Sequence, residues 1–250
     1  MSISARALSG SVVLLYSFAS TVQPARAEKG LLIDEEIKVF GEMKALISPI
    51  GLRVTNERLK TVIVSSAPDW KIVSFNPKTK VYFQADDVKQ YRSALISSNN
   101  VFNGYNLELA PMQRTGALKV FGMSAAHYDS TPRYAATQMV AYHTGELPGS
   151  APGAVHFDLL DQTKLPQAPC SVLEKIFGVP QMVGVPAVCW YDSVDRNKHQ
   201  YLTTGKITTV TCSKKDFEFP KEYKRVPHEA QLNNMESDDF EELFRSKMTK

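Results

Sequence analysis

The stretch DWKIVSFNPKTKVYFQ, Asp69 to Gln84, constrains the fold more than any other part of this chain. β-Branched and aromatic residues flank Asn76-Pro77-Lys78-Thr79, whose Asn and Pro have the chemistry of a four-residue hairpin loop. Pairing the runs so that Phe75 faces Lys80 groups Trp70, Ile72 and Ser74 with Val81, Phe83 and Ala85. The other face then holds Lys71, Val73 and Phe75 with Lys80, Tyr82 and Gln84. A sheet wetted on one side needs a single apolar face, yet both faces here carry large apolar groups. Two arrangements satisfy this. In one, helices cover one face and the remaining aromatics lie scattered on the surface. In the other, the sheet curls around an apolar hollow lined by the first face, where each buried CH₂ of a guest gains about 0.8 kcal/mol.

The rest of the chain supplies more of the same material. LKTVIVSS (Leu59–Ser66), ALKVFGMSAAHY (Ala117–Tyr128), RYAATQMVAYH (Arg133–His143), VPAVCWYDSV (Val185–Val194) and HQYLTTGKITTVTC (His199–Cys212) read as strands. FEFPKEYKRV (Phe217–Val226) closes the sheet. Ile33, Ile37, Phe40 and Ile47 recur at helical spacing behind Asp34, Glu35 and Glu36, so the spacing predicts a helix ended by Pro49 and Gly51. Short helices are expected over Asp86–Leu95 and Pro169–Val179, and Gly145–Gly153 reads as a loop. Hairpins interrupted by short helices specify an α+β antiparallel sheet rather than alternating βα units.

Residues 1–27 are set apart by Arg6, the apolar run Ser11–Ser20 and an Ala25-Arg26-Ala27 exit. Together they have the form of a secretory signal cut after Ala27. The apolar run is about half of what a spanning helix needs. Residue 28 is Glu, so the cut exposes no thiol for lipid attachment. Losing Arg6 and Arg26 takes the formal net charge from +3 to +1. So balanced a chain lacks the basic footprint of a nucleic-acid binder. The expected organisation is a signal over 1–27, one domain over 28–228, and a polar, helical tail over 229–250. The protein is expected to be periplasmic or secreted.

Catalytic signatures are absent: there is no G-x-S-x-G, Walker loop, G-x-G-x-x-G, H-E-x-x-H or C-x-x-C. His127-Tyr128-Asp129 and His156-Phe157-Asp158 would each put an imidazole and a carboxylate on one face of a strand. Such pairs are common as ordinary hydrogen-bonded histidines, and neither a metal nor a cofactor is expected. Three cysteines, Cys170, Cys189 and Cys212, allow one disulfide in an oxidising compartment. Cys189 lies in an apolar strand that disfavours its thiolate, whereas Cys170 opens a short helix whose dipole favours it.

In its order of export signal, Asp69–Gln84 hairpin, Gly184-Val185-Pro186 opening a long hairpin, and closing F-x-x-P-x-x-Y-K-x-V (Phe217–Val226), the chain resembles the LolA-like superfamily. Asp69, Pro77 and Tyr82 carry the hairpin part of the likeness. The resemblance implies an incomplete barrel of antiparallel strands, with helices covering the open side over an apolar hollow. It implies a non-catalytic carrier of a lipid, acyl chain or lipid-modified protein. Trp70, Ile72, Val81 and Phe83 would line the hollow, with Met139 and Trp190 reaching it from other strands. The long Gly145–Pro169 insert, the tail, and the latching Arg, for which Arg53 and Arg58 are the candidates, depart from that family. An envelope interaction protein with a filled core, docking partners through the insert and the tail, is the alternative. A hydrolase using Cys170 is the third reading.

Overall fold

The computed structural model describes residues 27–38, 40–85, 91, 108–109, 111–133, 152–161, 166–177 and 184–233. A curved, unclosed sheet of 12 strands dominates them. Strands β1 (Glu28–Ile37), β2 (Gly41–Ser48), β3 (Gly51–Asn56), β4 (Thr61–Ser66), β5 (Val73–Asn76) and β6 (Val81–Gln84) form one antiparallel meander. A second run joins β8 (Gln113–Val120), β9 (Met123–Ser130), β11 (Pro152–Leu160), β12 (Val185–Ser193) and β13 (Lys198–Cys212). The halves meet where β1 pairs with β13, from Glu28↔Cys212 to Ile37↔Leu202. β14 (Lys224–Arg225) adds to β6 in parallel at one edge, and β7 (Glu108–Leu109) pairs apart with β10 (Pro132–Arg133). Residues 1–26 of the signal segment, Asp86–Leu95 apart from Tyr91, the expected strand Arg133–His143 beyond Arg133, and the tail beyond Asn233 lie outside the described residues.

The helix expected over Ile33–Ile47 is instead the β1–β2 hairpin. A spacing of four residues fits both periods, because Ile33 and Ile37 share a face in a strand as they do in a helix. The intervening residues decide. Leu31, Ile33, Glu35 and Ile37 are buried on β1, as are Met43, Ala45 and Ile47 on β2, which is strict alternation. Gly41, with φ +74°, takes the left-handed turn conformation that a side chain resists. β3, a strand not expected from the sequence, then pairs with β2 in register.

The β5–β6 hairpin forms with its two faces as anticipated, but slid by two residues: Phe75 faces Tyr82 and Asn76 faces Val81. Lys80 is left in the turn with φ 56°. Asn76 fixes that turn, its Oδ1 accepting from the Lys78 and Thr79 amides at 2.8 and 3.3 Å. One face joins the main core, with Ile72 and Ala85 enclosed and Phe83 packed against it. The other face (Val62, Val64, Val73, Phe75 and Tyr82) is covered by the C-terminal segment through Phe219 and Tyr223. Tyr223 meets Phe75 edge-on at 5.9 Å, and Phe219 lies 4.9 Å from Tyr82. Both faces of the hairpin are therefore apolar because both are covered.

In the other half, β8 and β9 turn tightly at Phe121-Gly122, both at positive φ. The segment read as a long insert contributes β11, which sits between β9 and β12 inside the sheet. Pro152 and Gly153, read as loop, are its first residues. The one α-helix among the described residues, α1 (Gln167–Phe177), carries Pro169 in its first turn, where a missing N–H costs nothing. Its Val172, Leu173, Ile176 and Phe177 form an apolar stripe buried in the core. Phe177 O accepts from the buried Tyr201 hydroxyl at 3.0 Å, tying α1 to β13.

Cys170, Cys189 and Cys212 are all free and buried, and a Cys189–Cys212 bridge is ruled out by their places in the sheet. Cys189 pairs with Leu202, and Cys212 lies ten residues further along the same strand. That separation is roughly 30 Å, against the 7 Å or so that a bridge tolerates.

Candidate functional site

Alternation assigns each face of the sheet its own chemistry. On the core face, one residue from each of six successive strands forms a row: Ile33, Ala45, Val54, Ile63, Ser74 and Phe83. Of the residues expected to line a hollow, Ile72 is enclosed here, Phe83 packs against the core, and Val81 is half-buried. Trp70 is half-buried in the turn before β5, with φ 53°. Met139 lies outside the described residues. Trp190 does not share the core face. Its neighbours Cys189 and Tyr191 point into the core, so it stands on the opposite side.

Glu35 also lies on the core face. It follows Ile33 and precedes Ile37 in the buried alternation, is 3% exposed, and neither carboxylate oxygen has a hydrogen-bond partner among the described residues. Met43 is its register partner on β2. Thr204, opposite on β13, commits its hydroxyl to Ala187 O at 2.6 Å. Burial pushes the Glu35 carboxyl well above the usual range. At the far end of the face, Glu229 satisfies its charge more fully. It accepts from Ser74 at 2.6 Å and Tyr91 at 2.8 Å, holding the turn Glu229–Asn233 against β5 and β6. The start of the expected tail is thus anchored by buried hydrogen bonds.

The opposite face of the β9–β11–β12 region carries a cluster of five titratable side chains. The pairs His127↔Asp158 and Asp129↔His156 set two imidazoles diagonally across adjacent strands. Asp129 Oδ1 stands 2.6 Å from His156 Nδ1 and 3.1 Å from His127 Nε2. The outer nitrogens meet other carboxylates: His127 Nδ1 is 2.6 Å from Asp158, and His156 Nε2 is 3.2 Å from Asp192. Trp190 stacks on both rings, at 5.2 and 5.1 Å, and Lys198 Nζ lies 4.2 Å over the indole. Burial raises the Asp129 carboxyl, but hydrogen bonds from Thr115 and His156 and the nearby imidazoles outweigh it, leaving it below the usual range. Each His-x-Asp pair was visible in the sequence. That the two pairs lie side by side, with Trp190 against them, follows only from β11 being inserted next to β9.

Neither candidate for a latching arginine bridges the core face. Arg53 reaches the C-terminal segment at Asp216 O, 3.5 Å away, and lies 5.9 Å from the Phe75 ring. Arg58 sits in the β3–β4 turn. Burial raises the Cys170, Cys189 and Cys212 thiols, and at Cys170 a backbone hydrogen bond only partly opposes it.

No family model matches the chain, and no curated protein matches it. Among solved structures, an uncharacterized conserved protein from Thermus thermophilus is similar at 7% identity and a TM-score of 0.32, over 79% of this chain and 89% of that one. MucB in complex with MucA(peri) matches at 9% identity and a TM-score of 0.34, over 81% of this chain and 57% of that chain. The Pseudomonas aeruginosa MucA/MucB complex matches at 11% identity and a TM-score of 0.34, over 80% and 58%. This chain thus spans less than two thirds of the MucB chains it matches. No family is assigned by these similarities, and the LolA-like resemblance rests on the sequence segments that carry it.

Proposed function

We propose that the chain is an exported, non-catalytic binding protein that holds an amphipathic ligand against the core face of its sheet. The ligand's apolar part (a lipid tail, an acyl chain or the lipid of a modified protein) would follow the row from Ile33 to Phe83. That row crosses five strand spacings, about 24 Å. The observation that carries this reading is Glu35. A buried carboxyl with no partner costs on the order of 1–3 kcal/mol, and an apolar core would be more stable without it. A hydroxyl, amide or amine at the head of a bound chain would supply the missing hydrogen bond. The half-buried Trp70, Val81 and Phe83 mark the opposite end of the row, where a guest chain would approach.

A second reading has its own support. Ile33, Ile37 and Ile72 are fully enclosed by the chain's own residues, as in a filled core. The chain would then act through protein partners in the envelope. Native mass spectrometry of the chain purified from an export compartment, followed by lipid extraction, separates the two. The ligand reading expects a co-purified acyl species, lost in Phe83→Asp and weakened at least tenfold in Glu35→Gln, with both variants still folded. A clean apo mass that takes up no added fluorescent fatty acid would establish the filled core.

A further inference from the structure

We propose that His127, His156 and Asp129 form a binding site for a divalent transition ion of the Zn²⁺ class on the face away from the core. The three side chains offer ligand atoms that all lie within 4.8 Å of one another. Tetrahedral coordination with bonds of about 2.0–2.1 Å sets ligand atoms about 3.3 Å apart. From 2.6 and 3.1 Å, the two nitrogens reach that spacing from Asp129 Oδ1 by shifts of well under 1 Å.

The outer carboxylates are the stronger argument. A neutral imidazole has one N–H and one lone pair. When His127 donates from Nδ1 to Asp158, its Nε2 lone pair faces Asp129. When His156 donates from Nε2 to Asp192, its Nδ1 lone pair faces Asp129 as well. In those tautomers two lone pairs and a carboxylate converge on one point, an arrangement that a cation would hold; otherwise His156 Nδ1–H donates to Asp129 at 2.6 Å, a hydrogen bond that the ion would replace. Metal-bound histidines characteristically have this arrangement, with the second nitrogen held by a carboxylate that fixes tautomer and ring orientation. Here both histidines have it, from two different strands. Trp190, stacked on both rings, restricts their rotation further.

Two imidazoles and one carboxylate select a borderline ion over Ca²⁺ or Mg²⁺, which take oxygen ligands. The imidazole side chains are 26% and 18% exposed and Asp129 is 37% exposed, so solvent can complete the coordination shell.

The test uses the tag-free chain, stripped with chelator, carrying Trp70→Phe so that Trp190 is the only tryptophan. Zn²⁺ titration by calorimetry is expected to give one site. Co²⁺ is expected to quench Trp190 fluorescence with the same stoichiometry. His127→Gln or His156→Gln weakens both signals at least tenfold, and Asp192→Asn weakens Zn²⁺ binding roughly 10–100-fold. His199→Gln, on a histidine stacked with Tyr191 instead, changes neither. ¹⁵N imidazole spectra of the parent give a reading independent of how the variants fold, with Zn²⁺ shifting the resonances of His127 and His156 alone. The absence of stoichiometric uptake, unchanged binding in the folded double variant, or shifts centred on other histidines would overturn the assignment.

Discussion

Glu35→Leu should stabilise the protein, and do so most at high pH. Leucine has a similar volume, continues the Leu31, Ile33, Ile37 alternation and removes from the core face two oxygens with no partner among the described residues. At pH 7 the gain should be about 1–3 kcal/mol, the usual cost of a buried polar group with no partner. The pH dependence is the sharper test. Burial raises the folded carboxyl above its ordinary value of 4.5, so the native state keeps this proton where the unfolded chain has lost it. Stability from this residue is therefore fully present below the unfolded value. It falls as pH rises toward the folded value, at up to about 1.4 kcal/mol per pH unit. Urea unfolding at intervals from pH 4.5 to 9 measures the slope in parent and variant, with m-values confirming that the same surface is exposed. The two curves should diverge with rising pH. Parallel curves, or a destabilised Glu35→Leu, would refute the argument that Glu35 is an uncompensated buried acid. If Glu35 receives a ligand head group, the stabilised variant should also be the one that binds worst. That pattern is expected where a site is kept at the expense of the core.

Gly51→Ala should destabilise by roughly 1–3 kcal/mol through overpacking, since its Cβ would fall 2.7 Å from Phe217 Cδ1 and closer still to Cγ. In the Phe217→Ala background the same change should cost little, and additive losses in a double-mutant cycle would argue against direct contact. Iodoacetamide should label none of the three buried cysteines in the native protein and all three in urea, as read by intact mass. Rapid native labelling at Cys170 would revive a nucleophilic role for it.

Strand-rich hairpins, the absence of βα alternation and the helix over the Pro169 region were legible because they depend on local chemistry. Turn residues, β-branched runs and a proline tolerated in a first helical turn act within a few positions. The errors have equally local causes. Ile33 and Ile37 are four apart, a spacing that suits helix and strand alike, and acids at Asp34–Glu36 mimic a helix start. Only the β1–β2 and β1–β13 ladders decide the matter. Pro152 and Gly153 read as loop because a proline is a poor ladder member. Here Pro152 is the first residue of β11, a position where a strand accepts it.

The sequence by itself determined that both faces of the Asp69–Gln84 hairpin carry large apolar groups; that both are covered was decided by the tertiary structure. Nor did the sequence determine what covers them. The core on one side, and Phe219 and Tyr223 on the other, come from segments far apart in the chain. The same holds for the two sites. Glu35 is one of three consecutive acids, Asp34–Glu36, and burial singles it out because the pleat turns alternate residues inward. His127, Asp129 and His156 are two ordinary His-x-Asp pairs until β11 pairs with β9, and strand order is set by non-local ladders that no local pattern encodes.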